Sequence, residues 1–315
     1  MVHMEQFYAV LNQVLVFFII LIIGFIAVKT KLLNESFLSA ISAFFSRLIV
    51  PFVIFVSTVN SATRTEMIEH SYLIGVYACT YAVMISLSRI TPKLLRLKGN
   101  RAALFSLATS FGNVGFIGIP LLLSAFGPKA MVFVAMNAIV DQITLWTYGV
   151  TLTYPVDKKP KFRLKTLVNV INPPLVAIIL AAVLIMLDAK IPSIINQALT
   201  SIADAGMAMP FLYIGGVLAT MDLVKLMKNY DIYAAIVIKM LIIPICGFLV
   251  FRAIGLKDEI VIVSTILLGL PVIGVMPMLA RTNGSDADYA TALALITTPA
   301  SLFTLTFISY ITTVL

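Results

Sequence analysis

The chain has 315 residues, 61% of them hydrophobic and only 11% charged, with a formal net charge of +8. Soluble domains carry about 25% charged residues, so this composition excludes an ordinary soluble protein and reads as an all-α polytopic membrane protein. In such a chain the basic residues orient the loops beside anionic lipid rather than recruit nucleic acid. Cys79 and Cys246 both lie in apolar runs and imply neither a disulfide framework nor a metal site.

In chain order the sequence offers ten transmembrane helices, at roughly 10–28, 36–58, 71–90, 102–126, 130–153, 168–187, 193–220, 232–253, 260–280 and 288–313. Met1 to Ala9 has no Lys or Arg, and the apolar run after it is too long for a signal-peptide core, so no secretory signal is expected. The second span is amphipathic at its start, where Asn34, Glu35, Ser36 and Arg47 fall. Asn172-Pro173-Pro174 suits the start of the sixth, as a cap with prolines in the first turn.

Charge asymmetry sets the direction. Odd-numbered connections hold fifteen of the 22 Lys and Arg (Lys29, Lys31; Arg89, Lys93, Arg96, Lys98, Arg101; Lys158, Lys159, Lys161, Arg163, Lys165; Lys225, Lys228; Arg281). Even-numbered ones hold five: Arg64, Lys129, Lys190, Arg252 and Lys257. Odd connections are therefore expected in the cytoplasm and both termini outside the cell membrane. The longest polar connection, 155–165, divides the chain into 1–154 and 166–315, each with five spans. Because five is odd, the second half enters the membrane upside down, giving two inverted five-helix repeats.

The fourth and ninth spans are broken. Gly112-Asn113-Val114-Gly115-Phe116-Ile117-Gly118-Ile119-Pro120 sits within an uncharged run from Ala102 to Pro128. Its glycines each cost roughly 1 kcal/mol against Ala in a helix, and Pro120 removes a backbone donor. Irregular backbone at membrane depth survives only where protein or a water-filled cavity covers it. Gly269, Pro277 and Gly284 follow Gly112, Pro120 and Gly127 at one shared spacing of 157 residues. The second break, Gly269 to Pro277, adds Pro271, Val272, Ile273 and Gly274, and has Leu270 where the first has Asn113. Two interrupted spans at matching places in two halves point to a transporter site at the midplane, where the breaks cross. The ordinary alternative is a pair of kinked helices.

Asp141 stands near the centre of the fifth span, with Asn137, Thr144 and Tyr148 on the same helical face. A carboxylate at that depth marks a substrate or ion pathway, unless neighbouring amides and hydroxyls simply satisfy it. The matching face of the tenth span offers Ala294, Thr298 and Ser301. Lys239, inside the eighth span, either snorkels, pairs with Asp141 or Asp204, or holds a substrate carboxylate. Enzyme signatures are lacking: His3 and His70 are the only histidines, and no G-x-x-x-x-G-K-[ST] loop occurs. No cofactor is expected beyond a coupling ion, a proton or sodium.

Phe111-Gly112-Asn113-Val114-Gly115-Phe116-Ile117-Gly118-Ile119-Pro120-Leu121-Leu122 resembles the signature of the auxin efflux carrier family of secondary transporters. Arg47 to Pro51 and Lys239 to Pro244 add weaker matches. The resemblance covers nearly the whole chain and looks like a bacterial-type member. It implies a fold similar to that of sodium/proton antiporters and bile-acid transporters. Spans one, two, six and seven would form a scaffold, able to dimerise, and three to five with eight to ten a crossover unit that moves as an elevator. It also implies a small organic anion as substrate, with the family's break Asn falling on Asn113. The second break departs from the family in the spacing of Pro271 and Pro277. Exposed N–H groups at the half-helices, the close backbone approach allowed by Gly112 and Gly115, and the Asn113 amide all suit a carboxylate. The expected function is alternating-access transport of small carboxylates. The runner-up is a sodium/proton antiporter with Asp141 and Asn137 at the cation and Lys239 balancing charge.

Overall fold

Chains this apolar bury their backbone polar groups in helices, because hydrocarbon offers no other hydrogen-bond partner. The computed structural model describes residues 2–158, 172–206, 208–221 and 229–314, and among them it is all helical, with no strand. The first half holds α1 (Val2–Lys29), α2 (Glu35–Phe44), α3 (Val50–Ser61), α4 (Arg64–Glu69), α5 (Tyr72–Leu94), α6 (Gly99–Ser110), α7 (Ile119–Phe126) and α8 (Ala130–Thr147). The second holds α9 (Pro173–Met186), α10 (Ser193–Gly206), α11 (Met209–Thr220), α12 (Tyr230–Val237), α13 (Ile243–Ala253), α14 (Asp258–Gly269), α15 (Met276–Asn283) and α16 (Ala287–Val314). Among the described residues, six helical stretches are long and apolar enough to cross a membrane: Phe7–Lys29, Tyr72–Leu94, Ala130–Thr147, Ser193–Thr220, Tyr230–Ala253 and Ala287–Thr312. Val50–Asn60, Val114–Phe126 and Pro173–Met186 are shorter apolar helices. Most of the 155–165 connection lies outside the described residues.

Three prolines shape the helices that carry them. π-helical turns at Phe45–Ile49, Val114–Gly118 and Ile238–Ile242 each end two residues before a proline, namely Pro51, Pro120 and Pro244. A proline ring clashes with the carbonyl four residues back and brings no N–H, so the preceding turn widens to accommodate it. At α9 the cap expected from the sequence is present. Asn172 accepts from Leu175 N at 3.0 Å, with Pro173 and Pro174 in the first turn. At α4, Thr63 and Glu66 form a capping box. Its hydrogen bonds, the Thr63 backbone N–H first, hold the Glu66 carboxyl below its usual range.

Two sets of helices pack closely among themselves, and α1 bridges them through α16 and α7. α1 lies along α11, and α3 packs on α9 and α10. α5 packs on α6 and α8, α13 on α14, and α16 on α14 and α15. The connections sort to two ends. At one end Tyr230 Oη donates to Leu95 O at 3.2 Å, Val156 N to Asn100 Oδ1 at 3.0 Å, and Asn283 Nδ2 to Thr153 Oγ1 at 2.7 Å. At the other, Asn196 Nδ2 donates to Asn60 Oδ1 at 3.1 Å, Lys257 meets Glu69 at 3.1 Å, and Arg64 meets Asp188 at 3.5 Å.

The first of these ends is pinned by Arg101. Its Nη2 donates to Asn229 Oδ1 at 3.0 Å and Asp231 Oδ2 at 3.2 Å, and its guanidinium stands 4.5 Å from the Tyr289 ring centroid. The starts of α6, α12 and α16 are tied through one side chain. The Asp231 side chain is only 1% exposed, so removing its cation strands a buried carboxylate. Arg101→Met should lower stability by about 2 kcal/mol, half-exposure of Arg101 tempering the full cost of a broken buried pair. Thermal unfolding in detergent reads it, and an unchanged melting point would show that the cluster carries no stability.

Candidate functional site

The two breaks meet. Gly112 and Val272 form an isolated antiparallel bridge, and Asn113 N donates to Pro271 O at 2.9 Å. Val272 N donates to Thr297 Oγ1 at 3.2 Å, which anchors the second break to α16. A Cβ on Gly112 would stand 3.0 Å from Leu270 Cβ, and one on Gly118 would stand 2.7 Å from Leu270 Cδ1. The glycines of the first break thus let Leu270 of the second seat against the backbone. Pro277 falls in the first turn of the half-helix α15, where the missing N–H costs little, and Pro120 follows the π turn within the helical stretch Val114–Phe126.

Asn113 sits at the centre of the crossing, 2% exposed. Its Oδ1 accepts from Phe116 N at 3.3 Å, and its backbone carbonyl accepts from Ile117 N and Gly118 N, both at 3.0 Å. The cap fixes the amide, so Oδ1 faces the helix and Nδ2 is turned the other way. A Cβ on Gly274 would stand 3.1 Å from that Nδ2. The N–H groups of Val114 and Gly115 precede the first intrahelical bond and have no carbonyl behind them.

Two cavities flank the crossing and share Asn113, Phe116 and Met278 as walls. The first, about 420 Å³, is lined by Val50 and Ile54 of α3, Gly112 to Phe116, Asp141 and Gln142 of α8, Asn172 to Pro174, and Ile273. The second, about 390 Å³, is lined by Tyr213 and Val217 of α11, Gly274, Arg281 of α15, and Thr291 and Thr298 of α16. Both volumes suit a small ligand.

Asp141 is 1% exposed. Tyr81 Oη donates to its Oδ1 at 2.7 Å, and Gln142 Nε2 donates to its Oδ2 at 3.0 Å. Asn137 lies one helical turn before Asp141, and its Oδ1 is buried with no hydrogen-bond partner among the described residues. Lys239 is 1% exposed and lies on the inward side of the π turn before Pro244. It feels the Asp141 charge, yet among the described residues no carboxylate comes within 4.0 Å of its ammonium.

A family model described as membrane transport protein matches residues 9–166 and 161–309. The chain belongs to this family, the auxin efflux carrier family of membrane transport proteins. It is also similar to the uncharacterized transporter MJ1031 of Methanocaldococcus jannaschii, 23% identical over 213 residues, which cover 65% of this chain and 68% of that protein. The chain is thus a multi-pass membrane protein of a transporter family.

Set against the sequence reading, the carrier brings Gly112, Asn113, Gly115 and Pro271, Val272, Ile273 and Gly274 to one crossing. Asp141 comes into the wall of the first cavity, whereas Asn137, one turn before it, lines neither cavity. Lys239 stands within electrostatic reach of Asp141 but not in contact. Asp204 is exposed and joins none of these groups. The residues that hold Asp141 were not legible. Tyr81 comes from another helix, and Gln142, adjacent in sequence, is not on the i, i+3, i+4 face from which partners were drawn. Thr144, on the same helical face as Asp141, donates to the Val140 carbonyl at 2.6 Å. Arg281, counted from sequence only as a loop charge, lines the second cavity.

Proposed function

We propose that this carrier is a secondary transporter of small organic anions, working by alternating access. The observation that carries the reading is the capped Asn113, whose amide donor stands free at a crossing of two broken helices beside the unsatisfied N–H groups of a half-helix. Such an arrangement is suited to a carboxylate. The sorting of the connections to two ends supports ten crossings and two inverted five-helix halves. The basic end is then cytoplasmic, with both termini outside the cell membrane. The packing of α1 on α11 and of α3 on α9 and α10 supports a scaffold of spans one, two, six and seven beside a crossover unit of the rest.

Asp141 and Asn137 serve the coupling ion. A carboxylate beside a buried, unpartnered amide oxygen offers oxygen ligands to a proton or sodium. An ionised Asp141 repels an anion bound at the crossing that both cavities share, so neutralising it links the two fluxes. The test is uptake into proteoliposomes of labelled acetate, malonate, malate and indole-3-acetate, with and without imposed proton and sodium gradients. The expected result is gradient-driven uptake of at least one carboxylate. Asp141→Asn should keep anion binding while losing its dependence on pH or sodium. Sodium/proton exchange with no carboxylate bound would replace this reading with the antiporter.

A further inference from the structure

The two cavities are counterparts across the repeat, and their charges are opposite. Adding the 157-residue spacing that relates the breaks takes Asp141 to Thr298 and Ser124 to Arg281. The first cavity therefore carries a carboxylate where the second carries a hydroxyl, and the second carries a guanidinium whose counterpart in the first half is a serine. Pro277, Met278, Arg281 and Thr282 of α15 line the second cavity, together with Gly274 of the break before it. Gly274 stands in the turn before α15 and Arg281 in its last turn. No carboxylate lies within 4.0 Å of Arg281 among the described residues. Gly274, beside which Asn113 Nδ2 lies, lines the same cavity.

We propose that the substrate carboxylate is held in this second cavity, between the Arg281 guanidinium and the Asn113 amide, and that the Asp141 cavity is reserved for the coupling ion. This inference rests on the organic-anion reading and assigns the anion its place within it. The guanidinium fork matches both oxygens of a carboxylate, and Asn113 Nδ2 adds a donor at the far end. In the first cavity the free N–H groups of Val114 and Gly115 also attract an anion, but the Asp141 carboxyl faces the same space. An anion there meets a like charge that the second cavity lacks. An arginine at the end of α15 also complements the free carbonyls of that terminus. That role alone predicts no change in ligand affinity when the side chain is replaced.

The test uses the purified full chain in lipid nanodiscs with radiolabelled malonate, malate and indole-3-acetate. Arg281→Gln should weaken the bound carboxylate by about tenfold or more, as expected for losing a charge-assisted bond. Arg281→Lys should retain part of the affinity, and Lys129→Gln, a surface charge at the other end, all of it. A cysteine in place of Thr291 should be shielded from a water-soluble thiol reagent by the bound carboxylate, and one in place of Gln142 should not. The cysteine pair decides the matter if Arg281→Gln does not fold. Unchanged affinity in Arg281→Gln, with binding lost in Asn113→Leu, would overturn this placement and leave the anion reading standing. Shielding at Gln142→Cys alone would do the same. No binding of any of the three carboxylates to the unaltered chain would overturn both.

Discussion

Asn113→Leu should abolish carboxylate transport and weaken binding by about tenfold or more, while the protein still folds. In the proposed site the Asn113 amide does two separate jobs. Its Oδ1 caps the half-helix at Phe116 N, and its Nδ2 is the donor turned toward Gly274. Leu fills a similar volume and removes both. Loss of the cap costs about 1 kcal/mol of stability, which a chain with this much buried helix tolerates. Loss of a bond to a charged ligand costs roughly 1.5–3 kcal/mol of binding, and the buried methyls leave an incoming carboxylate unsolvated. Asn113→Asp separates the two jobs, because it keeps an oxygen for Phe116 N and replaces the donor with a negative charge. It should melt near the unaltered protein and bind no anion. Equilibrium binding and thermal unfolding of both variants are the measurements. Normal anion affinity in Asn113→Asp would remove the crossing from the substrate site.

Gly215→Val should prevent stable folding, or lower stability by about 3 kcal/mol or more. α1 and α11 approach closely enough that a Cβ on Gly215 would collide with the Leu21 carbonyl, and one on Gly24 with the Leu212 carbonyl. Each glycine faces the backbone one turn from the other, so the contact is reciprocal. Helices in a membrane gain little from burying apolar surface against one another and associate instead through close packing at small residues. Forcing a branched side chain into backbone moves the helices apart, beyond the usual range for overpacking against flexible side chains. Gly75→Ala is the contrast, since its added Cβ meets nothing within 4 Å, and it should shift stability by no more than about 1 kcal/mol. Yield of monodisperse protein and melting temperature test the pair. A Gly215→Val protein as stable as Gly75→Ala would show that α1 and α11 are not packed this way.

The sequence by itself determined the class, the two breaks and the residue at their centre. The reason is that hydrocarbon is an unforgiving solvent. It demands long apolar runs, so Gly112 to Pro120 and Gly269 to Pro277 stand out as places where a helix is sacrificed. Asp141 and Lys239 stand out for the same reason, as charges where none is cheap. Local chemistry was equally legible at Asn172-Pro173-Pro174, where cap and prolines act within one turn. What only the tertiary structure decided was pairing across the chain. The bridge of Gly112 with Val272, the hydroxyl that Tyr81 brings to Asp141, and the clamp of Arg101 on Asp231 join residues from 60 to 160 positions apart. No helical periodicity encodes such contacts. Arg281 shows the limit most plainly. In sequence it is one more basic residue before a loop, and only the packing of α11, α15 and α16 around the crossing turns it toward a cavity. Depth and exposure follow from the solvent each segment must satisfy, which composition records. The direction in which a side chain points follows from how helices pack, which composition does not.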